Sequence, residues 1–533
     1  MGDAGGEVAA GRRVAGAAIL LAAGVLLSRL LGFVREVVLA GLVGRNSASD
    51  AYSAAFQLPD LLNYLLAGGA LSIAFLPLYE RVRRERGAAA AEHLTATVLG
   101  TLGALALAIT ALLWLFANPL IALQFGFAPE QHALTVRLTR IVLPAQVLFV
   151  CGGIVRAALM ADGHFRSQAL APVLYNAGII AGGLLLSPRL GVEGFAWGVL
   201  VGAVVGALGS ALWEARGRVR LGVRISFADR DFRAYLALAA PLMLGATLLT
   251  VDEWYDRWFG SRLGTGSIAT LRYARQLMLV PVAFVGQAAA TAALPTLSRL
   301  AAEGRRADLD TLVLRSLQAS AALGVLLAAG VFALAEPLVA LVYVRGRFTP
   351  DDALPVVAAL RVFACAVPGW ILQTLAVRPF YARGDMWRPM GLGTVVSLAA
   401  IPLYAWLGPR LGASGLALAG ALAISGNAFA TLVLARRWHG APALLPLAGT
   451  LLRALAAAAP ASGAALLAAR AVAPLAPPGT LGAAVACAVG GVAFAALGLP
   501  LAFALGDAPT QEALRALARR TWRVLGARAR SVS

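Results

Sequence analysis

Ser28-Arg29-Leu30-Leu31-Gly32-Phe33-Val34-Arg35-Glu36 decides how this chain is read. The stretch lies inside an apolar segment, Val14 to Val43, long enough to cross a bilayer, which takes about 20 residues. Two arginines and a glutamate therefore sit at membrane depth, where a single charge on an isolated span costs about 2.5–3.5 kcal/mol on insertion scales. Folding alone gives no reason to carry that cost twice in seven residues. The pattern points to a polar cavity in which guanidinium meets an anion, and the planar guanidinium fork suits phosphate. The competing reading is an internal Arg–Glu pair that satisfies only itself. On a helix Arg29 and Glu36 share a face and Arg35 points roughly 120° away. Gly32 between them offers a place for the helix to bend and turn both arginines inward.

The rest of the chain agrees. Of its 533 residues 60% are hydrophobic and 13% charged, where a soluble domain carries about 25% charged residues. This predicts an all-α polytopic membrane protein, since barrel strands would be short and alternating. The net charge is +19 and every basic residue is arginine. The arginines are scattered between spans, which argues against nucleic-acid binding and for loop placement under the positive-inside rule. Cys151, Cys365 and Cys487 lie in apolar segments and the four histidines are not at ligand spacing. No nucleophile elbow, zinc-protease, P-loop or CxxC pattern occurs, so neither catalysis nor a cofactor is expected. No cleavable signal is evident, because the first apolar run is too long and contains arginines.

About fourteen apolar segments follow one another: 14–42, 48–79, 92–117, 134–160, 168–187, 191–214, 233–260, 266–298, 310–335, 352–381, 389–407, 411–435, 446–472 and 480–504. Arginines cluster before span one, after spans two, six, eight and twelve, and in the tail; the alternate loops are poorer, with Arg345 and Arg347 the exception. Both termini are therefore expected in the cytoplasm. The chain also repeats. Asn118-Pro119-Leu120-Ile121-Ala122-Leu123 recurs as Glu336-Pro337-Leu338-Val339-Ala340-Leu341, 218 residues on. Ala161-Asp162-Gly163 and Pro188-Arg189-Leu190-Gly191 recur as Ala382-Arg383-Gly384 and Pro409-Arg410-Leu411-Gly412, 221 on. Phe75-Leu76-Pro77 loosely matches Ala293-Leu294-Pro295. Six spans fill one period, so the halves enter the membrane in the same orientation, a parallel-repeat design with the binding site between halves. The expected organisation is a lobe of six helices over 14–215, a second over 232–436, two further helices over 446–504 and a basic cytoplasmic tail over 507–533. The tail reads as a basic helix lying on anionic lipid, or else a solvated one.

Other intramembrane charges join the list. Asp50 opens span two and reads either as a helix cap or solvated acid, or as part of the site. Asp60 lies deeper, as a partner for Arg29 or Arg35. In span seven Glu253 and Arg257 form an i,i+4 ion pair, while Asp252 and Asp256 share a face as a candidate cation site or a hydrated helix end. Arg272 and Arg275 share a face of span eight, so both halves are expected to present arginine to a shared cavity. Gly198, Gly202 and Gly206 predict close helix packing.

The opening stretch resembles the first-helix motif of the MurJ/MviN family of lipid II flippases, in the MOP exporter superfamily. Further matches in order are Ser49-Asp50-Ala51-Tyr52, Phe56-Gln57-Leu58-Pro59-Asp60-Leu61-Leu62, Ala74-Phe75-Leu76-Pro77, Ala171-Pro172-Val173-Leu174-Tyr175-Asn176, Tyr273-Ala274, Leu294-Pro295-Thr296-Leu297-Ser298 and Arg345-Gly346-Arg347-Phe348-Thr349. The resemblance implies two six-helix lobes plus a final pair. It implies alternating access, in a bacterial inner membrane, around a cationic cavity that flips undecaprenyl-diphosphate-linked peptidoglycan precursor to the outer leaflet. It assigns importance to Arg29, Arg35 and Asp50, with the arginines on diphosphate, and a lipid groove to the last two helices. Cell-wall synthesis proteins are possible partners. The chain departs from the family pattern at Asn63-Tyr64, where a basic pair is common, and at Ala67-Gly68-Gly69 in place of Ala-Glu-Gly. Gln276 stands where an arginine is usual, with Arg275 one residue early. Some members bind sodium; Asp256 matches one such acid, but span eleven has none. The alternatives are a flippase for another polyprenyl-diphosphate glycan and a non-transporting paralogue.

Overall fold

In the computed structural model, described for residues 4–66, 70–248, 251–287, 296, 299–300, 302–383, 385–440 and 442–529, the chain is helical, and no strand occurs among the described residues. Ala67-Gly68-Gly69, Leu294-Pro295 and Gly384 lie outside them. The helices are α1 (Ala4–Val43), α2 (Ser47–Ala55), α3 (Gln57–Leu66), α4 (Ala70–Arg86), α5 (Ala88–Leu115), α6 (Ala117–Gln124), α7 (Pro129–Val142), α8 (Ala145–Ala161), α9 (Arg166–Leu190), α10 (Glu193–Gly202), α11 (Ser210–Ala215), α12 (Arg230–Leu248), α13 (Val251–Gly260) and α14 (Ser267–Pro281). They continue with α15 (Arg306–Ala333), α16 (Ala335–Tyr343), α17 (Pro350–Ala376), α18 (Arg378–Ala382), α19 (Trp387–His439), α20 (Leu444–Val472), α21 (Thr480–Leu505) and α22 (Ala508–Ala529). Wider π turns join α10 to α11 (Ala203–Gly209) and follow α14 (Val282–Gln287).

Among the described residues ten continuous stretches are long and apolar enough to span a membrane, and they cover the expected spans one, three to six and nine to fourteen. Spans eleven and twelve are two helices that meet at the non-helical Gly412 within α19. Span two breaks at Phe56, between α2 and α3, and continues in α4, while α12 and α13 both lie on span seven; residues 67–69 and 249–250 are outside the described residues. Gly32 does not interrupt α1, which runs unbroken to Val43.

The repeat is visible in the backbone. Gly191 and Gly412, 221 apart, carry the same left-handed turn, with φ 56° and 60°. Gly44 and Gly266 (φ 82° and 83°) and Gly217 and Gly440 (φ 72° and 77°) recur at similar separations. Such φ values exclude most side chains, so corresponding loops in the two halves have kept the residue that their turns require.

The helices group into two compact units, Met1–Ala269 and Thr270–Ser533. The division falls later than residue 232, where the repeat begins again, because α12 packs on α3, α4 and α5. In the first unit one core gathers Leu39, Tyr52, Phe195 and Val199, and another Phe75, Val98, Ile154 and Tyr235. α9 and α10 meet backbone to backbone: a Cβ at Gly198 would stand 2.8 Å from the Gly178 carbonyl oxygen, and one at Gly202 2.6 Å from that of Tyr175. In the second unit α15 packs against α17 and α20, α17 against α19, and α20 against α21. The tail helix α22 docks on α15 through Arg315–Glu512 at 2.6 Å and tucks Leu514 against the core around Ala322 and Ala457.

Loop contacts tie the helix ends together. On the arginine-rich side Arg83 pairs with Asp162, and Arg86 with Asp231 at 2.6 Å. On the other side Arg45 donates to the Thr265 carbonyl at 3.3 Å, Arg262 to that of Gln124 at 3.2 Å, and the Gly126 N–H to Ser261 Oγ at 3.2 Å. Within the second unit Arg383 pairs with Asp310 at 3.3 Å, again on the arginine-rich side.

Candidate functional site

The arginine motif of α1 is tied to α9. Arg35 Nη2 and Nε donate to Glu36 Oε1 at 2.9 and 3.2 Å, and Nη1 donates to Asn176 Oδ1 at 3.2 Å. The Asn176 amide in turn donates to the Ser28 carbonyl and hydroxyl, each at 3.3 Å, and to the Pro172 carbonyl at 3.0 Å. The internal Arg–Glu pair thus exists, but it is not closed on itself: Asn176 orients the guanidinium from the neighbouring helix. Glu36 is 2% exposed while Arg35 keeps 27% of its surface open. A buried carboxylate needs its partner, because stranding it would cost several kcal/mol. Burial of Glu36 therefore fixes Arg35, and the guanidinium is held in place at the surface of the helix pair. Gly32 faces α9 at this level, with Asn176 Oδ1 3.8 Å from where its Cβ would be. Arg29 is exposed on α1.

Asp50 is not the cap of its own helix; Asn46 is, accepting from Ala48 and Ser49 at 3.0 and 3.1 Å. Asp50 is buried and caps α14 instead: its carboxylate accepts the N–H of Gly266 at 2.6 Å and of Ala269 at 2.7 Å. A helix N-terminus presents unpaired N–H groups and a partial positive charge, and Asp50 answers both. Gly266, at φ 83°, lets the Arg45 side chain lie against the same turn.

Asp60, expected beside Arg29 or Arg35, has its ion pair with Arg257 at 2.9 Å. Arg257 also donates to Gln57 Oε1 at 3.3 Å and approaches Glu253 at 3.7 Å, the expected i,i+4 pair. Asp256 is buried and Asp252 half-buried on the same helix, α13. Among the described residues no three His, Cys, Asp or Glu side chains gather as a metal-ligand group.

On α14, Arg272 and Gln276 are half-buried, and Arg275 is buried with its guanidinium carbon 5.0 Å from the centre of the Phe363 ring. The helix is anchored by Tyr273, whose carbonyl accepts from Tyr343 at 3.1 Å beside Phe348. Asn63 is half-buried.

Sequence reading missed three participants. Asn176, quoted only within a motif of the family resemblance, carried no charge to single it out. Arg156, in α8, donates to the Ala207 carbonyl, which lies in the π turn of span six; an arginine five residues before the end of an apolar helix was the available signal. Glu214 accepts the N–H groups of Arg166 and Ser167 at 3.1 and 2.6 Å, capping α9 from span six.

Comparison with known proteins agrees with this architecture. The sequence profile of the family described as "Lipid II flippase MurJ" matches residues 39–485, more than four-fifths of the chain. A probable lipid II flippase MurJ of Rhizobium meliloti is 28% identical over 424 residues, covering 77% of this chain and 79% of that protein. A lipid II flippase MurJ of Burkholderia cenocepacia is 28% identical over 408 residues, covering 74% and 78%. Among solved structures, a lipid II flippase MurJ in an inward closed conformation superposes with a TM-score of 0.76 at 22% identity, covering 91% of this chain and 99% of that one. An inward-facing multidrug MATE transporter of the MOP superfamily superposes at 0.68 and 17% identity, covering 80% and 98%.

Proposed function

The chain belongs to the MurJ family of lipid II flippases, and from that premise we propose that it flips undecaprenyl-diphosphate-linked peptidoglycan precursor from the inner to the outer leaflet of the cytoplasmic membrane by alternating access. The observation that carries the reading is the Arg35–Glu36–Asn176 network, a guanidinium held at membrane depth and left partly open. A charge-assisted hydrogen bond to phosphate is shorter and about twice as strong as a neutral one, and a fixed donor loses less side-chain entropy on binding. Arg29 and Arg35 are the diphosphate contacts in this reading, and Arg272, Arg275 and Gln276 are their counterparts on α14. Asp50 acts through the helix it caps. The arginine-rich loops and both termini lie in the cytoplasm, as the positive-inside rule requires. The work is transport rather than catalysis, and enzymes of cell-wall synthesis are its expected protein partners. A sodium ion, which the family resemblance brings in, would have Asp252 and Asp256 as carboxylate donors, but among the described residues no third acid joins them and span eleven carries none, so the fit is incomplete.

The test is complementation of a bacterium depleted of its own lipid II flippase. Expression of this chain should restore growth and cell shape, and Arg35→Ala should not, at equal membrane abundance. Full rescue by Arg35→Ala, or none by the unmodified chain when correctly inserted, overturns the reading.

A further inference from the structure

The connector from α11 to α12 takes no part in the proposed cargo site. It runs without helical structure from Arg220 to Ser226 along α5. The Arg224 N–H donates to the Ala96 carbonyl at 3.0 Å, and the Ser226 N–H to Thr101 Oγ at 3.0 Å. Gly100 permits the approach: a Cβ there would overlap the Arg224 backbone. His93 and Asp229, 3.2 Å apart, fasten the far end. Burial pushes the Asp229 carboxyl up, but the His93 hydrogen bond and the N–H groups of Phe232 and Asp231 more than offset it and leave it below the usual carboxylate range.

The opposite face of this segment is apolar. Leu221, Val223, Ile225 and Phe227 are 36%, 77%, 60% and 57% exposed, and they alternate with Gly222, Arg224 and Ser226, whose backbone lies against α5. Arg216, Arg218, Arg220, Arg224, Arg230 and Arg233 surround the row. The acids of the stretch, Asp229 and Asp231, are engaged with His93 and Arg86, so the positive charge faces outward.

Depth identifies the occupant. From Leu94 to Leu115, α5 carries no charge, and those residues rise about 33 Å at 1.5 Å each, close to the roughly 30 Å of a hydrocarbon core. Ala96 to Thr101, where the connector docks, therefore lies where headgroups give way to acyl chains. Trp213, exposed on α11, marks the same level, as interfacial tryptophans do.

We propose that residues 219–227 form an interfacial strap seated in the anionic inner leaflet, with Leu221, Val223, Ile225 and Phe227 among the first acyl carbons and the flanking arginines on lipid phosphates. Charge complementarity and continuity with the membrane-facing surface of α5 and α11 single out lipid over a cytosolic protein or a second copy. The inference rests on the proposed orientation and holds for any cargo.

The experiment uses the full chain with Cys151, Cys365 and Cys487 replaced by alanine. A bimane label is placed at Val223→Cys, at Ile225→Cys, or, as a control on the same side, at Glu303→Cys. The protein is placed in nanodiscs of phosphatidylethanolamine and phosphatidylglycerol, or of phosphatidylcholine alone. Labels at 223 and 225 should emit to the blue of the label at 303. Lipids brominated high on the acyl chain should quench them severalfold more strongly. Arg216→Gln, Arg220→Gln and Arg224→Gln together should weaken that quenching in phosphatidylglycerol discs and leave it unchanged in phosphatidylcholine. Water-exposed emission at both positions in both discs overturns the proposal. So does a blue shift that appears only on adding cytosolic protein, or one that follows dimer formation.

Discussion

Replacing Asp50 with alanine removes a carboxylate that holds the first turn of α14 from another helix. Its two oxygens accept the Gly266 and Ala269 N–H groups at 2.6 and 2.7 Å in a site 2% exposed. A hydrogen bond to a charged group contributes about 1.5–3 kcal/mol, and a buried donor left dry costs about 1–3 kcal/mol. The favourable charge at the helix end adds up to about 1–2 kcal/mol. These contributions overlap, so opening of this turn becomes easier by about 3–5 kcal/mol, a factor of about 100 to several thousand. Hydrogen–deuterium exchange on the protein in nanodiscs reads this directly, comparing a peptide over 265–271 with one from α21. Exchange at Ala269 should accelerate by about two orders of magnitude or more in Asp50→Ala. Asp50→Asn keeps one acceptor oxygen but turns an NH₂ toward the second N–H, and should lie nearer to alanine than to the unmodified chain. Unchanged protection in Asp50→Ala refutes the capping argument; loss of transport in that same variant would then put the carboxylate on the cargo itself.

Arg35→Lys should fail in complementation nearly as fully as Arg35→Ala, because one ammonium cannot hold Glu36 and Asn176 with the geometry of a guanidinium fork. Asn176→Ala should give a partial defect, read as reduced growth at equal abundance. Gly198→Leu should prevent α9 and α10 from meeting and lower the amount of folded protein in the membrane by detergent-extraction assay, whereas Gly391→Ala, with open space around it, should leave that amount unchanged. Burial pushes the Asp507 carboxyl up, but Thr450 and Thr510 hydrogen bonds more than offset it and hold it below the usual carboxylate range. A depressed carboxylate stabilises above its unfolded pKa of about 3.9 and loses that contribution as pH falls through the lower folded value. Protease release of α22 should therefore be flat from neutral pH down to about pH 4 and rise below it, with Asp507→Asn removing the pH step.

The membrane class and the repeat were legible in the sequence because each rests on a property carried residue by residue: hydropathy for the spans, and required glycines for turns such as Gly191 and Gly412. Arg35 and Glu36 were legible because charge at membrane depth is rare. Their partner was not, since Asn176 lies 141 residues from Arg35 and nothing local marks which helix α1 will meet. The same limit explains Asp60. Its carboxylate announced a partner, and several arginines qualified; no sequence rule singles out Arg257, which pairs with it at 2.9 Å from α13. The backbone role of Asp50 was hidden for another reason: cap signals are read within a helix, and this cap crosses from α2 to α14.

The use of the acids bears on what kind of cargo this protein admits. Arginines outnumber acids 45 to 26, and several of the acids are turned to backbone rather than to arginine. Asp50 caps α14, Glu214 caps α9, Asp229 accepts from the first turn of α12 and Asp507 from that of α22. A carboxylate on a helix N-terminus answers a partial charge of about one half, not a whole guanidinium, so these acids do little to neutralise the arginines. Others, such as Glu36 and Asp60, are held in ion pairs with arginine. A transporter of organic cations needs acids that its cargo can reach. Here the acids at helix ends serve the fold, and the cationic surplus persists into the arginine motif of α1, where one guanidinium is fixed by a buried glutamate and remains partly open. That distribution favours a multiply charged anion on a lipid over the cationic compounds that an acidic cavity would select.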